Sequence, residues 1–224
     1  MHNKMKIHLI CFFVLATIMT CFGQKTTIIT KNFKFKDGVY ATYSDWQANK
    51  PTIVWDSIET NLAVNPKTLL MQVEFAKYKK THQKVALDSI WGVVVDGIPY
   101  VHVPRNELGK TAYCFAGLIL RGRLCYFNYE TIARSQVPIT AYIPQTGEPY
   151  ITKNVPKEEI IVREKLMNYE TGEVFDLTLN SFKRLISDDK DLIATVDDLK
   201  THELKEKLFK CVLIYNDRNP VYIK

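Results

Sequence analysis

The stretch Lys84–Val103, KVALDSIWGVVVDGIPYVHV, decides the fold. Val85, Leu87, Trp91, Val93 and Val95 alternate on one side, with Ile90 and Val94 on the other, which is the two-residue period of a strand. Asp96-Gly97 then supplies the strongest short hairpin signal, because the tight turn that matches strand twist needs positive φ at both central positions. Ile98–Val103 is the returning strand. Pro99 has no N–H to give to a ladder, so it is expected on an edge strand or facing outward.

A second hairpin is expected immediately downstream, Ala112–Leu120 and Arg123–Tyr129, turning at Arg121-Gly122. That turn sets Leu118 opposite Cys125 and Cys114 opposite Tyr129. Cys114 and Cys125 are then offset by about 13 Å along the strand, too far for a disulfide, so any bridge would join Cys211 to one of them. Both faces are apolar, with Cys114, Ala116, Leu118 and Leu120 on one and Tyr113, Phe115, Ile119 and Leu124 on the other. A strand pair apolar on both sides is covered on both sides, so this segment is the expected centre of the core.

Further strands are expected at Thr26–Thr30, Gly38–Thr42, Met71–Tyr78, Val137–Ile143, Glu159–Met167 and Glu173–Leu177. Met71–Tyr78 also tolerates a helix. Pro144–Pro149 reads as a turn and Glu170-Thr171-Gly172 as a short hairpin loop. Ser44 with Gln47 forms a capping box for a short helix ending before Pro51. After residue 177 the period changes to that of helices. One helix carries Leu179, Phe182, Leu185 and Ile186. A second, capped by Asp188 with Asp191, carries Leu192, Ile193, Val196 and Leu199. A third runs from about Thr201 to Tyr215. The expectation is an α+β fold, a largely antiparallel sheet of hairpins followed by C-terminal helices. It forms one domain over 24–224, strand-rich over 24–177 and helical over 178–216.

The first 23 residues are of another kind. Lys4 and Lys6 precede a run from Ile7 to Gly23 without Asp, Glu, Lys or Arg, apolar at Leu9–Leu15 and closed by Gly23. This is the pattern of a secretory signal peptide, with cleavage expected between Gly23 and Gln24. An uncleaved anchor would want about 20 apolar residues, and this run is shorter and mixed with Thr. A lipoprotein signal would use Cys21, which Thr20 precedes where such signals carry a small residue. The expected mature chain is therefore exported, to the periplasm or the outer-membrane surface, with no transmembrane segment. Of 224 residues 201 remain, and the net charge falls from +6 to +4, 28 basic against 24 acidic. That charge is mild and dispersed; its densest patch is Lys77–Lys84. No nucleic-acid partner is expected. Cys114, Cys125 and Cys211 remain, an odd number that leaves at least one thiol free or paired between chains.

No Gly-rich phosphate loop, Gly-x-Ser-x-Gly elbow or Cys-x-x-Cys is present, and no two histidines stand at helical spacing, so no cofactor, metal site or catalytic residue is assigned. Asp188-Asp189-Lys190-Asp191 lacks the glycine and glutamate of a calcium loop and reads as helix capping. Aromatics are plentiful: 3 Trp, 12 Tyr and, after the leader, 8 Phe. They suit sheet packing and also the stacking of a sugar or peptide. Tyr43, Trp46 and Trp55, flanking the Asn49-Lys50-Pro51 turn, form the candidate binding surface if exposed.

Several short segments together resemble a group of uncharacterised exported proteins of Bacteroidota. They are Asp37-Gly38-Val39-Tyr40 with Asn49-Lys50-Pro51; Ile90-Trp91-Gly92 with Asp96-Gly97 and Tyr100; Glu170-Thr171-Gly172; and Tyr215–Pro220. The Gly23-Gln24 junction is similar to signal-peptide junctions of that phylum. The resemblance implies export and transfers no catalytic residue. The resulting expectation is a non-enzymatic cell-envelope protein, a binding or structural module whose partner is an envelope protein or a glycan. The alternative is an envelope hydrolase with a site assembled in space around His82, His102 or His202, one of which would then lie in a cleft beside a Ser, a Cys or a carboxylate.

Overall fold

The computed structural model describes residues 27–30, 32–108, 112–200 and 202–223. The leader, with Cys21 and the Gly23-Gln24 junction, lies outside the described residues, as does Thr26 at the head of the first expected strand. The elements are β1 (Gly38–Tyr40), α1 (Tyr43–Gln47), β2 (Ile58–Val64), β3 (Leu70–Tyr78), β4 (Gly92–Val95), β5 (Ile98–Val103), α2 (Arg105–Leu108), β6 (Tyr113–Gly117), β7 (Leu124–Tyr142), β8 (Pro149–Asn168), β9 (Val174–Asp176), α3 (Leu179–Leu185), α4 (Lys190–Asp197) and α5 (Leu204–Arg218). They build a six-stranded sheet in the order β1-β4-β5-β6-β3-β2 and a three-stranded sheet in the order β7-β8-β9. Every strand pair is antiparallel. The fold is broadly α+β, mostly β, with its helices largely toward the C-terminus.

The β4–β5 hairpin forms as its turn dictates. Val95 pairs with Ile98, and Asp96 and Gly97 both take positive φ, 54° and 77°. Both sides of β4 are buried: Val93 belongs to one core and Val94 to another. The regular strand is shorter than expected, since Leu87–Ser89 is a turn of 3-10 helix. Nor is Pro99 on an edge, because β5 lies between β4 and β6. It is tolerated because it faces the end of the β5–β6 ladder. Leu118, just past β6, donates its N–H to the Pro99 carbonyl at 2.8 Å, so only the last return bond is lost.

The expected hairpin at Arg121-Gly122 does not form. β6 inserts between β5 and β3, and β7 finds its partner in β8 over its whole length. Only a bridge between Leu120 and Tyr126 crosses the turn. Cys114 therefore faces Gln72 and Val103 rather than Tyr129, and Cys125 faces Met167 rather than Leu118. Two contacts from segments distant in sequence explain the opening. Arg121 Nη1 donates to the Phe33 carbonyl at 2.9 Å, and the Asn216 amide exchanges two 2.8 Å hydrogen bonds with the Leu124 backbone. Burial on both faces still holds for β6, where Ala116 faces the first core and Phe115 the third.

The cores define layers. The first lies between the sheets, with Val94, Val101 and Ala116 against Cys125, Phe127, Tyr129 and Met167. The second sets Leu124, Tyr126 and Leu166 on the outer face of β7–β8 against Phe182, Ile186, Leu192, Val196, Val212 and Tyr215 of the helical region. The third covers the far side of the six-stranded sheet with Met71, Val73, Leu87 and Ile90. Capping differs from expectation by a residue or two. Thr42 and Asp45 box α1. Asp189 caps α4 by accepting from Leu192 N–H at 2.9 Å, while Asp188 accepts from the Tyr215 hydroxyl. Strand β2 and helix α2 were not anticipated; both are short or broken in pattern, β2 by a bulge at Asn61/Leu62.

Cys114, Cys125 and Cys211 are all buried and form no disulfide with one another. Burial pushes the Cys125 thiol up to about 12 and raises that of Cys211. In the chain from Gln24 onward, native protein should leave all three thiols unreacted with Ellman's reagent, and full denaturation should expose all three. A fast-reacting native thiol would contradict this packing. Trp46→Ala should lower unfolding free energy in urea by about 3–5 kcal/mol, because the indole has no exposed surface.

Candidate functional site

The three aromatics of the expected binding surface are part of the fabric. Trp46 is fully buried, and this corrects its assignment to a surface. Its ring stacks on Phe35 at 4.9 Å and on Trp91 at 4.7 Å and meets Tyr169 edge-on at 5.3 Å. Tyr43 is half-buried and packs on Trp46 and Trp91, with its hydroxyl donating to the Tyr169 carbonyl. Trp55 donates its indole N–H to the Val94 carbonyl at 2.8 Å. A residue that stacks on a sugar leaves its polar tip for solvent or ligand. Tyr43 and Trp55 spend theirs on the backbone.

The histidines do not assemble a site. His82 and His202 are exposed, and His82 sits in a turn at φ 56°. His102 is half-buried against Phe115 at 5.3 Å, and its Nε2 is buried with no hydrogen-bond partner. Burial lowers its pKa, Arg105 pushes the same way and Asp88 opposes. A general base needs its second nitrogen oriented and its first facing a nucleophile; the buried Nε2 meets neither.

One concave region lies where the two sheets and α2 meet. A cleft of about 240 Å³ is lined by Val101, Val103, Pro104, Phe127, Tyr129 and Val174, with His102, Glu107 and Lys165 completing the wall. A shallower depression of about 530 Å³ adjoins it, sharing Glu107 and Lys165 and adding Asn106, Thr131, Arg134, Arg163 and Asp176. Lys165 Nζ stands 3.0 Å from Asp176 and 3.5 Å from Glu107. Tyr129 donates its hydroxyl to Glu107, and Thr131 donates to the Glu107 carbonyl. Burial first, then the hydrogen bond to Glu107, holds the Tyr129 phenol well above its ordinary pKa, so it stays a donor. Lys165 stands in ion pairs with both carboxylates. The cluster is built to lock α2 onto the β7–β8 sheet and to shape a depression, and its groups are committed to one another.

From that depression the strands run on alone. β9 meets β8 only at Lys165–Met167, and beyond it β7 and β8 pair solely with each other to the Ala141–Ile151 pair and the bulge at Tyr142. The part from Ala133 outward is a two-stranded arm roughly 30 Å long. Every residue from Pro144 to Ile160 is exposed. The arm and its base nevertheless carry Ile132, Val137, Ile139, Tyr142, Tyr150, Ile151, Val155, Ile160 and Val162, with exposure as high as 75% at Tyr150 and 70% at Ile160. The strands at Val137–Ile143 and Glu159–Met167 and the Pro144–Pro149 turn were legible in the sequence. What was not legible is that no third element among the described residues covers them.

Comparison with protein-family models, curated proteins and solved structures gave no match. No group of three or more His, Cys, Asp or Glu among the described residues is arranged to hold a metal ion, and no described helix is long and apolar enough to cross a membrane.

Glu107→Ala removes the acceptor of Tyr129 and one partner of Lys165, so it should cost about 1–3 kcal/mol in urea unfolding. Arg134→Ala, which breaks an exposed pair with Glu158 (side chains 73% and 58% exposed), should cost no more than about 1 kcal/mol. Equal losses would reduce the Glu107 cluster to an ordinary surface ion pair.

Proposed function

We propose that this protein is an exported cell-envelope component that acts by binding rather than by catalysis, and that its binding element is the β7–β8 arm. The leader reading and the resemblance to exported proteins of Bacteroidota support export. One observation carries the binding reading: a solvent-exposed two-stranded ribbon with nine large apolar side chains along its length and base. Isolated hairpins are marginal in water, and contiguous exposed apolar surface marks an interaction site. Its side chains are mostly β-branched aliphatics, which bury against protein surface, so the partner is an envelope protein rather than a glycan.

Replacing residues 136–156 by Asn-Gly, between the cross-strand neighbours Ser135 and Lys157, shortens the arm and leaves the three cores untouched. Cross-linking in envelope preparations should capture a protein partner with the intact chain and lose it with the shortened one, while the melting transition of the body stays in place. Capture that survives the shortening would sink this reading.

A further inference from the structure

We infer that a groove on the flank of the six-stranded sheet binds a single-chain amphiphile with an anionic head, a long-chain carboxylate being the simplest. The groove is separate from the arm, and neither reading depends on the other. One wall is the segment from Thr52 to Ser57 and the other runs from Tyr78 to Ile90. Backbone bonds fix both. Ile53 N–H donates to the Val39 carbonyl at 3.1 Å, and Tyr78 and Val85 N–H donate to the Gln83 and Ala76 carbonyls, each at 2.9 Å. Lys79 N–H ties the second wall to the first through the Ser57 carbonyl at 3.0 Å. The space between is about 510 Å³, within the range of small-molecule sites. Ile53, Val54, Val85, Ala86 and Ile90 make it apolar, and Val54 keeps 52% of its surface in water.

The polar groups select an anion. The hydroxyls in the groove are used within the chain: Thr52 donates to Asp45 at 3.0 Å, Ser57 to the Val54 carbonyl at 2.7 Å and Ser89 to the Ala86 carbonyl at 2.8 Å. The donors left to a ligand are the Lys84 ammonium and the Tyr78 hydroxyl, neither of which is bonded among the described residues. Lys84 closes a loop of one sign. Lys77, Lys79, Lys80 and Lys84 fall within a stretch that holds no Asp or Glu, and none of them forms an ion pair among the described residues. Lys77 and Lys84 stand directly opposite each other in an antiparallel bridge, where like charges repel. Lys77 rests on the Phe75 ring at 4.9 Å and has Glu59 as its neighbour on β2; Lys84 has neither relief. No carboxylate lines the groove. Of those near it in sequence, Asp88 is held by Arg105 at 3.2 Å, which leaves Asp56 as one negative charge against the lysines.

Concavity decides for a single molecule over a membrane surface. A bilayer is engaged through apolar side chains that reach into it, and the hairpin tip Lys79–Gln83 carries none. The apolar side chains line the hollow behind the tip instead, where one chain can lie with its head toward Lys84.

Isothermal titration calorimetry with dodecanoate, kept below the concentration at which it forms micelles, tests this on the chain from Gln24 to Lys224. Saturable binding is expected. Decanoate should bind about four- to fifteenfold more weakly, the effect of two methylenes half or fully buried. Dodecyltrimethylammonium and inorganic phosphate, which each keep one half of the ligand's chemistry, should bind at least about tenfold more weakly than dodecanoate. Val54→Asp and Lys84→Glu should each raise the dissociation constant about tenfold or more. Lys84→Glu has a second readout: by facing Lys77 with the opposite charge it should raise the melting temperature, so its weaker binding is not a loss of folding. Dodecanoate binding that survives both substitutions lies elsewhere on the chain and overturns the groove. Equal binding of the cationic amphiphile overturns the anionic head, and equal binding of phosphate overturns the apolar body. No binding at about millimolar dodecanoate, or binding only to vesicles of anionic phospholipid, overturns the single-chain ligand.

Discussion

Trp46 lies between the rings of Phe35 and Trp91, and the rest of the structure is hung on that stack. Phe35 comes from the segment before β1, Trp46 from α1, Trp91 from the entry to β4 and Tyr169 from the exit of β8. Four pieces of chain distant in sequence meet within one aromatic cluster. Such pairs add about 0.5–1.5 kcal/mol each beyond area burial. The backbone joins at the same place: Tyr43 Oη and Gln47 Nε2 both donate to the Tyr169 carbonyl. This anchors the end of β8 to α1, and with it the direction in which the β7–β8 ribbon leaves the body. Gly172 follows, with φ 76° and with the Tyr43 ring so close that a Cβ would meet it at 2.8 Å. The tight return into β9 is possible there only without a side chain.

Local pairing was legible because its signals are local. Asp96-Gly97, the Glu170–Gly172 loop and the Pro144–Pro149 turn all act through φ preferences that no distant contact needs to confirm. The order of strands in the sheet was not, since it turns on which apolar face finds which. Tyr113–Gly117 and Leu124–Tyr129 read as one hairpin because Arg121-Gly122 joins them, yet Asn216, ninety-two positions beyond Leu124, occupies the backbone groups that would have closed it. Trp46 shows the same limit at the site. An indole beside a turn reads equally well as surface or core, and only the arrival of Phe35 and Trp91 decides. Glu107 and Lys165 carry no sequence signature; they matter because α2 and β9 bring carboxylates to one lysine.

Lengths explain why the arm is bare. The nineteen residues of β7 span roughly 60 Å at the usual strand rise. The longest helix among the described residues, α5, has fifteen residues and covers roughly 22 Å. The helices therefore cover Leu124, Tyr126 and Leu166 at one end and run out before Ile132. The alternation of the strands does not stop where the helices do. Ile132 still faces Ile160 across the ribbon and Val137 still faces Val155, in the pattern of a sheet with something on each side.

The arm also carries devices that keep it a ribbon without cover. Thr140 and Thr152 join hydroxyls across the strands at 2.8 Å, Arg134 reaches Glu158, and β-branched residues oppose one another at the Val137–Val155 pair. Such cross-strand pairs each contribute a few tenths to about 1 kcal/mol, the scale that separates a frayed hairpin from a formed one. Prolines at 138 and 156 protect the edges where aggregation begins. Protection stops at the edges, and the faces keep their isoleucines and valines in water. A surface selected only for solubility would have charged those faces too, since added charge on them disturbs no core. Guarded edges with apolar faces fit the proposed binding role, in which a surface packs on the ribbon rather than pairing with its edges.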